Sequence, residues 1–183
     1  MIKKSGVEIL IMENSGQEIV DIHISKCSEN AVVPQYARLG DAGMDIRASE
    51  DVLIRPQETL PIPTGLKFAI PVGYEIQVRP RSGLSLNTPL RVANSPGTID
   101  SGFRGEVKVI MTNSSPSLDE SSSESVLDLT TKGNVPGSYL IRQGDRIAQI
   151  VLQKVPAINW IEVESVDDIG QDRGGGFGSS GIG

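Results

Sequence analysis

Glycine and proline, 20 and 11 of them in 183 residues, recur throughout this chain and cut it into short β-branched segments. Such punctuation leaves little room for long helices and favours many short strands joined by turns. The segments that read as strands are 18–25, 45–48, 52–54, 58–61, 65–69, 74–80, 90–92, 97–99, 106–113, 137–141 and 146–154. None reads as a full helix, and 82–87 admits one short turn. Strands of this length at this spacing predict an all-β fold, a sandwich or jelly roll.

The length suits one domain with a real core. No run of apolar residues is long enough to span a bilayer. Met1-Ile2-Lys3-Lys4 begins basic but is followed by no apolar leader core, so a cytoplasmic protein without a membrane partner is expected. Cys27 is the only cysteine, which excludes an intrachain disulfide and a thiolate metal cluster. His23 is the only histidine, which excludes a multi-histidine zinc site. Flanked by Ile22 and Ile24, it reads as a solvent-facing strand residue rather than a catalytic base. Catalysis, if any, must rest on carboxylates, arginines, hydroxyls and backbone amides. A net charge of −6 argues against general nucleic-acid affinity, though not against a small anion held by a few local arginines.

Three segments stand apart from the strands of the main β domain at 19–168. Residues 1–18 form an N-terminal extension. Residues 114–136 are serine-rich and acidic with one weakly apolar patch, Val126-Leu127-Asp128-Leu129, and read as a surface loop inserted between strands. Residues 169–183 are glycine-rich and cannot fold alone, yet carry an arginine, a phenylalanine and two serines suited to gripping a ligand.

Five stretches carry chemistry. Tyr36 to Ile46 is a polar turn entering a strand that opens with Asp45. Taken alone, Asp45 reads first as a turn aspartate bonded to its own backbone. In Arg79-Pro80-Arg81-Ser82-Gly83-Leu84-Ser85 a strand ends by offering a guanidinium, a hydroxyl and unhindered N–H groups together, a grouping that binds phosphate. Taken alone, it also reads as a solvated arginine before a turn. Asn94 to Val109 reads as a hairpin with Asp100 and the aromatic Phe103 three residues apart. Gly144-Asp145-Arg146-Ile147-Ala148-Gln149-Ile150 and Arg173-Gly174-Gly175-Gly176-Phe177-Gly178-Ser179-Ser180-Gly181 complete the set. One Arg-Gly-Gly in an acidic chain is a poor RNA-binding signal, and no Walker-type phosphate loop occurs.

In this order the five stretches resemble the five motifs of the trimeric dUTPase family, over about residue 19 to the C-terminus apart from the insert. The resemblance implies a jelly-roll-like β-clip domain. It further implies a homotrimer whose C-terminal arm swaps onto a neighbour, and about 15 extended residues reach roughly 50 Å, enough to do so. Each site would take its first, second and fourth motifs from one subunit, the third from a second and the tail from the third. The implied activity is hydrolysis of dUTP to dUMP and pyrophosphate with Mg2+, which keeps uracil out of DNA and supplies dUMP for thymidylate synthesis.

By resemblance, Asp100 is the general base for the attacking water, and Gln149 lies near the phosphates and that water. Arg81, Ser82 and Gly83 would grip the α- and β-phosphates. Asn94 with the backbone of Gly97, Thr98 and Ile99 would read uracil, and Phe103 would pack on the deoxyribose where most relatives have tyrosine. Lys108 matches a substrate-contacting position. Asp45 would hold magnesium through water, while Asp145 and Arg146 look like supports of subunit contacts. In the tail, Phe177 would stack on uracil next to Gly178, with Arg173, Ser179 and Ser180 on the β- and γ-phosphates. Most relatives join the strands around the insert by a short turn.

Two rival readings share the scaffold. A dCTP deaminase has a similar Ser101-Gly102-Phe103 stretch, but Ile110 stands where its catalytic glutamate belongs. A regulatory protein could dock a protein partner through the insert, with Val126-Leu127-Asp128-Leu129 as anchor, although a plain surface loop is the simpler reading.

Overall fold

The structure is a computed structural model, and it describes residues 18–117 and 125–172. Eleven strands and one short helix run in the order β1 (His23–Lys26), β2 (Met44–Arg47), β3 (Val52–Ile54), β4 (Thr59–Ala69), β5 (Tyr74–Arg79), α1 (Ser82–Asn87), β6 (Leu90–Val92), β7 (Gly97–Ile99), β8 (Val107–Asn113), β9 (Val126–Asp128), β10 (Ser138–Ile141) and β11 (Arg146–Lys154). They form three sheets, ordered β1-β4-β8-β6, β2-β11-β5-β7 and β3-β10-β9. All neighbours are antiparallel except β9 and β10. The fold is all-β and jelly-roll-like, as the punctuation predicts.

Alternation explains why these segments are strands. Along β8, Val107, Val109, Met111 and Asn113 are buried while Lys108 and Ile110 face out, the period of two that a sheet with one dry face requires. The three sheets enclose one core in which Ile46, Ile62, Leu66, Leu90, Met111, Tyr139, Ile141 and Ile147 are fully buried. Each such side chain removes enough apolar surface from water to contribute about 1.5–3 kcal/mol.

The strand expected at 18–25 begins only at His23, and three further elements differ from the sequence expectation. Pro61 and Pro63 suggest a break, since proline cannot donate to a ladder, yet β4 runs through both. The Pro63 carbonyl accepts from Ser49 N at 2.9 Å, so this side of the strand points away from β8. Pro61 shares it by alternation, and neither missing N–H falls on the β8 ladder. A bulge then shifts the register between Pro63 and Leu66. Gly65 there has φ +67, and a Cβ on it would lie 2.7 Å from Ser28 Cβ. Secondly, Val126–Asp128, read as part of a loop, forms β9 because Leu127 packs on the core. Thirdly, the turn at 82–87 is a short helix, α1.

Glu18, where the described chain begins, accepts from Lys154 Nζ at 2.5 Å and from Tyr74 Oη at 2.6 Å. The bond from Lys154, then that from Tyr74, holds its carboxyl below the ordinary value. No helix among the described residues is long and apolar enough to cross a membrane.

Asn113 is the polar pin of the core. Fully buried, it donates through Nδ2 to Ile54 O at 3.1 Å and Gly137 O at 2.8 Å, and its Oδ1 accepts from Ser115 N at 3.0 Å. Asn113→Ala leaves buried groups short of partners, so urea unfolding should show a loss of about 2–4 kcal/mol.

Candidate active site

Two clusters of the expected residues form, at different places on the sheet β2-β11-β5-β7. The first is built by β11, which pairs with β2 on one side and β5 on the other, so that Gln149 stands opposite both Asp45 and Arg79. Gln149 donates from Nε2 to Pro80 O at 2.8 Å. Asp45 receives Arg81 through Nε at 2.6 Å and Nη2 at 3.3 Å. Its Oδ2 also accepts from Arg146 Nη1 at 3.3 Å, and Arg81 Nη1 reaches the Arg146 carbonyl at 3.3 Å. Two guanidiniums thus fix the direction of this carboxylate. Arg79, by contrast, turns along its own strand, donating from Nε and Nη2 to Gln77 Oε1 at 3.0 and 2.7 Å. Ser82 and Gly83 open α1 directly after Arg81. A hollow of about 380 Å³ lies beside Asp45 and Gln149, lined also by Gln35, Ala37, Asp41, Ala42 and Gly43.

The second cluster is built by β7 and the turn after it. Thr98, Ile99, Asp100, Phe103 and Lys108 line a hollow of about 290 Å³ with Pro61, Glu106, Val107 and Ile110. Phe103 is 43 % exposed, and its ring lies over Gly105, where a Cβ would meet Cζ at 2.7 Å. Glu106 ties the hollow down: Oε1 accepts from Gly65 N at 2.8 Å, and Oε2 lies 3.5 Å from Lys108 Nζ. Asn94 approaches the hairpin so closely that its Nδ2 would lie 3.2 Å from a Cβ on Gly97. The peptide bond between Ser95 and Pro96 is cis.

One chain does not bring the two clusters together. Asp100 follows directly on the Ile76–Ile99 pair, whereas Arg81 lies five residues beyond Ile76, on the order of 16 Å along extended chain. Arg173, Phe177, Gly178, Ser179 and Ser180 lie outside the described residues.

Sequence reasoning missed Glu106 and Gly43. Glu106 was detectable, because the alternation Glu106-Val107-Lys108 sets two opposite charges on one strand face beside Asp100. Gly43 had no such signal: only the fold reveals that a Cβ there would meet Gln149 Oε1 at 2.5 Å. Arg146, expected to support subunit contacts, donates within its own chain to Asp45.

The donor set suits a magnesium ion held indirectly. Among the described residues no three His, Cys, Asp or Glu side chains converge as a cage. Asp45 keeps lone pairs that could accept from a metal-bound water, and Mg2+ commonly retains its waters while binding phosphate oxygens.

Comparison with known proteins gives a consistent result. The dUTPase family profile matches residues 29–118. The deoxyuridine 5'-triphosphate nucleotidohydrolase of Helicobacter pylori strain 26695 is 40% identical over 161 residues, covering 88% of this chain and 97% of the relative. That of Zymomonas mobilis is 42% identical over 153 residues, covering 84% and 90%. Among solved structures, the dUTPase of Staphylococcus bacteriophage 80alpha with dUPNHPP superposes with a TM-score of 0.78 at 30% identity, covering 88% of this chain and 99% of that one. The dUTPase of phage phi11 of S. aureus, described as visualising a species-specific insert, gives 0.71 at 29% identity over 81% and 99%. A mutant form of that phage enzyme is described as coordinating a structural Mg(II) ion.

The tight seat of Gln149 can be tested directly. Gly43→Ala should lower stability by about 1–2 kcal/mol by displacing that side chain. Adding Gln149→Ala should remove most of the penalty in a double-mutant cycle.

Proposed function

This chain belongs to the dUTPase family, and on that premise we propose that it hydrolyses dUTP to dUMP and pyrophosphate. The observation that carries the reading is the hollow that unites a carboxylate, an aromatic ring and a strand backbone: Asp100, Phe103 and the hairpin Gly97–Ile99. The hairpin backbone and Asn94 read uracil by its donors and acceptors, and the narrow cleft rejects the methyl of thymine. The Phe103 ring packs on the deoxyribose and leaves no space for a 2′-hydroxyl. Asp100 orients a water and takes its proton as the water oxygen bonds to the α-phosphorus. The bond from that phosphorus to the bridging oxygen breaks, and pyrophosphate leaves with the electron pair.

Arg81, Ser82 and Gly83 receive the α- and β-phosphates. Because Asp45 already holds the Arg81 fork, phosphate binding trades one anion for another, and Arg146 keeps Asp45 paired while Arg81 turns. Gln149, fixed by Pro80 O, presents its Oε1 toward the water, and Lys108 adds positive charge at the sugar side. When bound, magnesium would neutralise phosphate charge, with Asp45 accepting from its water shell. Arg173, Phe177, Gly178, Ser179 and Ser180 close over the nucleotide and exclude water.

The separation of the two clusters supports a shared site in a homotrimer, with Asp100 of one subunit facing Arg81 of another. Residues 155–172 support the same arrangement. They leave the domain without forming a strand and expose Ile158, Trp160 and Ile161 at 70, 85 and 78 %, the kind of apolar surface a soluble chain buries against a partner. The deaminase alternative lacks its glutamate, since Ile110 supplies only an apolar wall to the hollow.

Two expected outcomes follow. Asp100→Asn should abolish pyrophosphate release from dUTP, and the parent should leave dCTP, dTTP and UTP essentially untouched. Asp100→Asn and Arg81→Ala, inactive singly, should regain about a quarter of parental activity when co-refolded in equal amounts, because one site in four then draws both intact halves from different subunits. No recovery would place each site within one chain.

A further inference from the structure

Both roots of the insert fasten to the same short stretch of chain. At the first root, Ser114 donates to Pro89 O from its N at 3.0 Å and from its Oγ at 2.7 Å. At the second, Asn134 N donates to Asn87 O at 2.8 Å. Residues 87–89 are the end of α1 and its immediate continuation. The returning half of the insert is itself anchored: β9 lies in register on β10, Leu127 and Leu129 pack on the core, and Tyr139 Oη donates to Val135 O at 2.7 Å.

α1 needs such an anchor. It has six residues, buries only Leu84, lacks a side-chain N-cap and carries no charges that complement its ends. A helix this short is far below the length that sustains itself in water. Its other ties are local: Ser85 N donates to Arg81 O at 3.0 Å, Asn87 Nδ2 to Gly83 O at 2.8 Å, and Thr88 N and Oγ1 to Leu84 O at 3.0 and 2.8 Å, while Arg91 Nη1 donates to Thr88 O at 2.6 Å. Asn87 is therefore the joint. Its carbonyl is held by the insert, and its side chain holds Gly83.

We infer that the insert is a brace for α1: by fixing Asn87 it sets where Ser82 and Gly83 stand beside Arg81. The consequence for catalysis rests on reading Arg81–Gly83 as the phosphate grip. The brace itself rests only on the hydrogen bonds above. Residues 114–115 and 125–136 thus act as a positioning segment for the phosphate grip, acting through Asn87, which stands on the order of 7 Å from Ser82 along the helix.

Asn134 permits a clean test because its φ is 55, in the left-handed region that glycine adopts freely and a β-branched residue does not. Asn134→Gly should keep the loop and its N–H bond, whereas Asn134→Val should break them. Hydrogen exchange of the Ser85 and Thr88 amides, bonded to Arg81 O and Leu84 O, should quicken about tenfold in Asn134→Val and hardly at all in Asn134→Gly. KM for dUTP should rise about fivefold in Asn134→Val alone, with kcat within about a factor of two of the parent. If Asn134→Val does not fold, Ser114→Ala cuts one bond at the other root and should give a smaller change in the same direction. Unchanged exchange in α1 of a folded Asn134→Val, or equal changes in both Asn134 variants, would overturn the brace. Faster exchange in Asn134→Val with no dUTP turnover by the parent would leave the brace standing and refute the functional reading instead.

Discussion

The site depends on the register of β11. Its pairing on both sides aligns Gln149 with Asp45 in β2 and with Arg79 in β5. Ala148 and Ile150, buried two residues apart on one face, help fix this register from within, because a one-residue slip would turn them out of the core. The same alternation turns Gln149 to the opposite face, where Pro80 O and the bare backbone of Gly43 receive it. From β5 the pairing continues to β7, which delivers Asp100 at the end of a three-residue strand. Hydrophobic burial and placement of the polar groups are thus one constraint.

That constraint also keeps the two halves of the site apart within a chain. A strand pairing cannot be shortened, so Asp100 at one end of β5 and Arg81 past the other stand apart in one chain, and the proposed shared site would join them across subunits. The charges suit this division. Arg81 and Arg146 concentrate positive charge around a single carboxylate, in a protein whose net charge is −6. A local field of this kind attracts a triphosphate without any general affinity for polyanions. Asp45 holds both guanidiniums in place, which in the proposed reaction would limit the entropy lost on binding phosphate.

Much of this was legible in the sequence because it rests on local rules. The strands β3, β6 and β7 stand at the positions that their β-branched residues and flanking turns predict. The clusters around Asp100 and around Arg81 each come from short contiguous stretches. What was not legible depends on contacts distant in sequence. β4 runs through Pro61 and Pro63 because their donor-less side faces away from β8. β9 exists because Leu127 finds the core, although its neighbours are serine and acid. The Arg81–Asp45 pair joins positions 36 residues apart, and the tie from Asn134 to Asn87 spans still more. No periodicity encodes either contact.

The most direct test of the proposed chemistry is hydrolysis of dUTP in water enriched in oxygen-18, with the products resolved by mass. Attack at the α-phosphorus by a water that Asp100 activates predicts one labelled oxygen in dUMP and none in pyrophosphate. Label in pyrophosphate would mean attack at the β-phosphorus and would contradict the account.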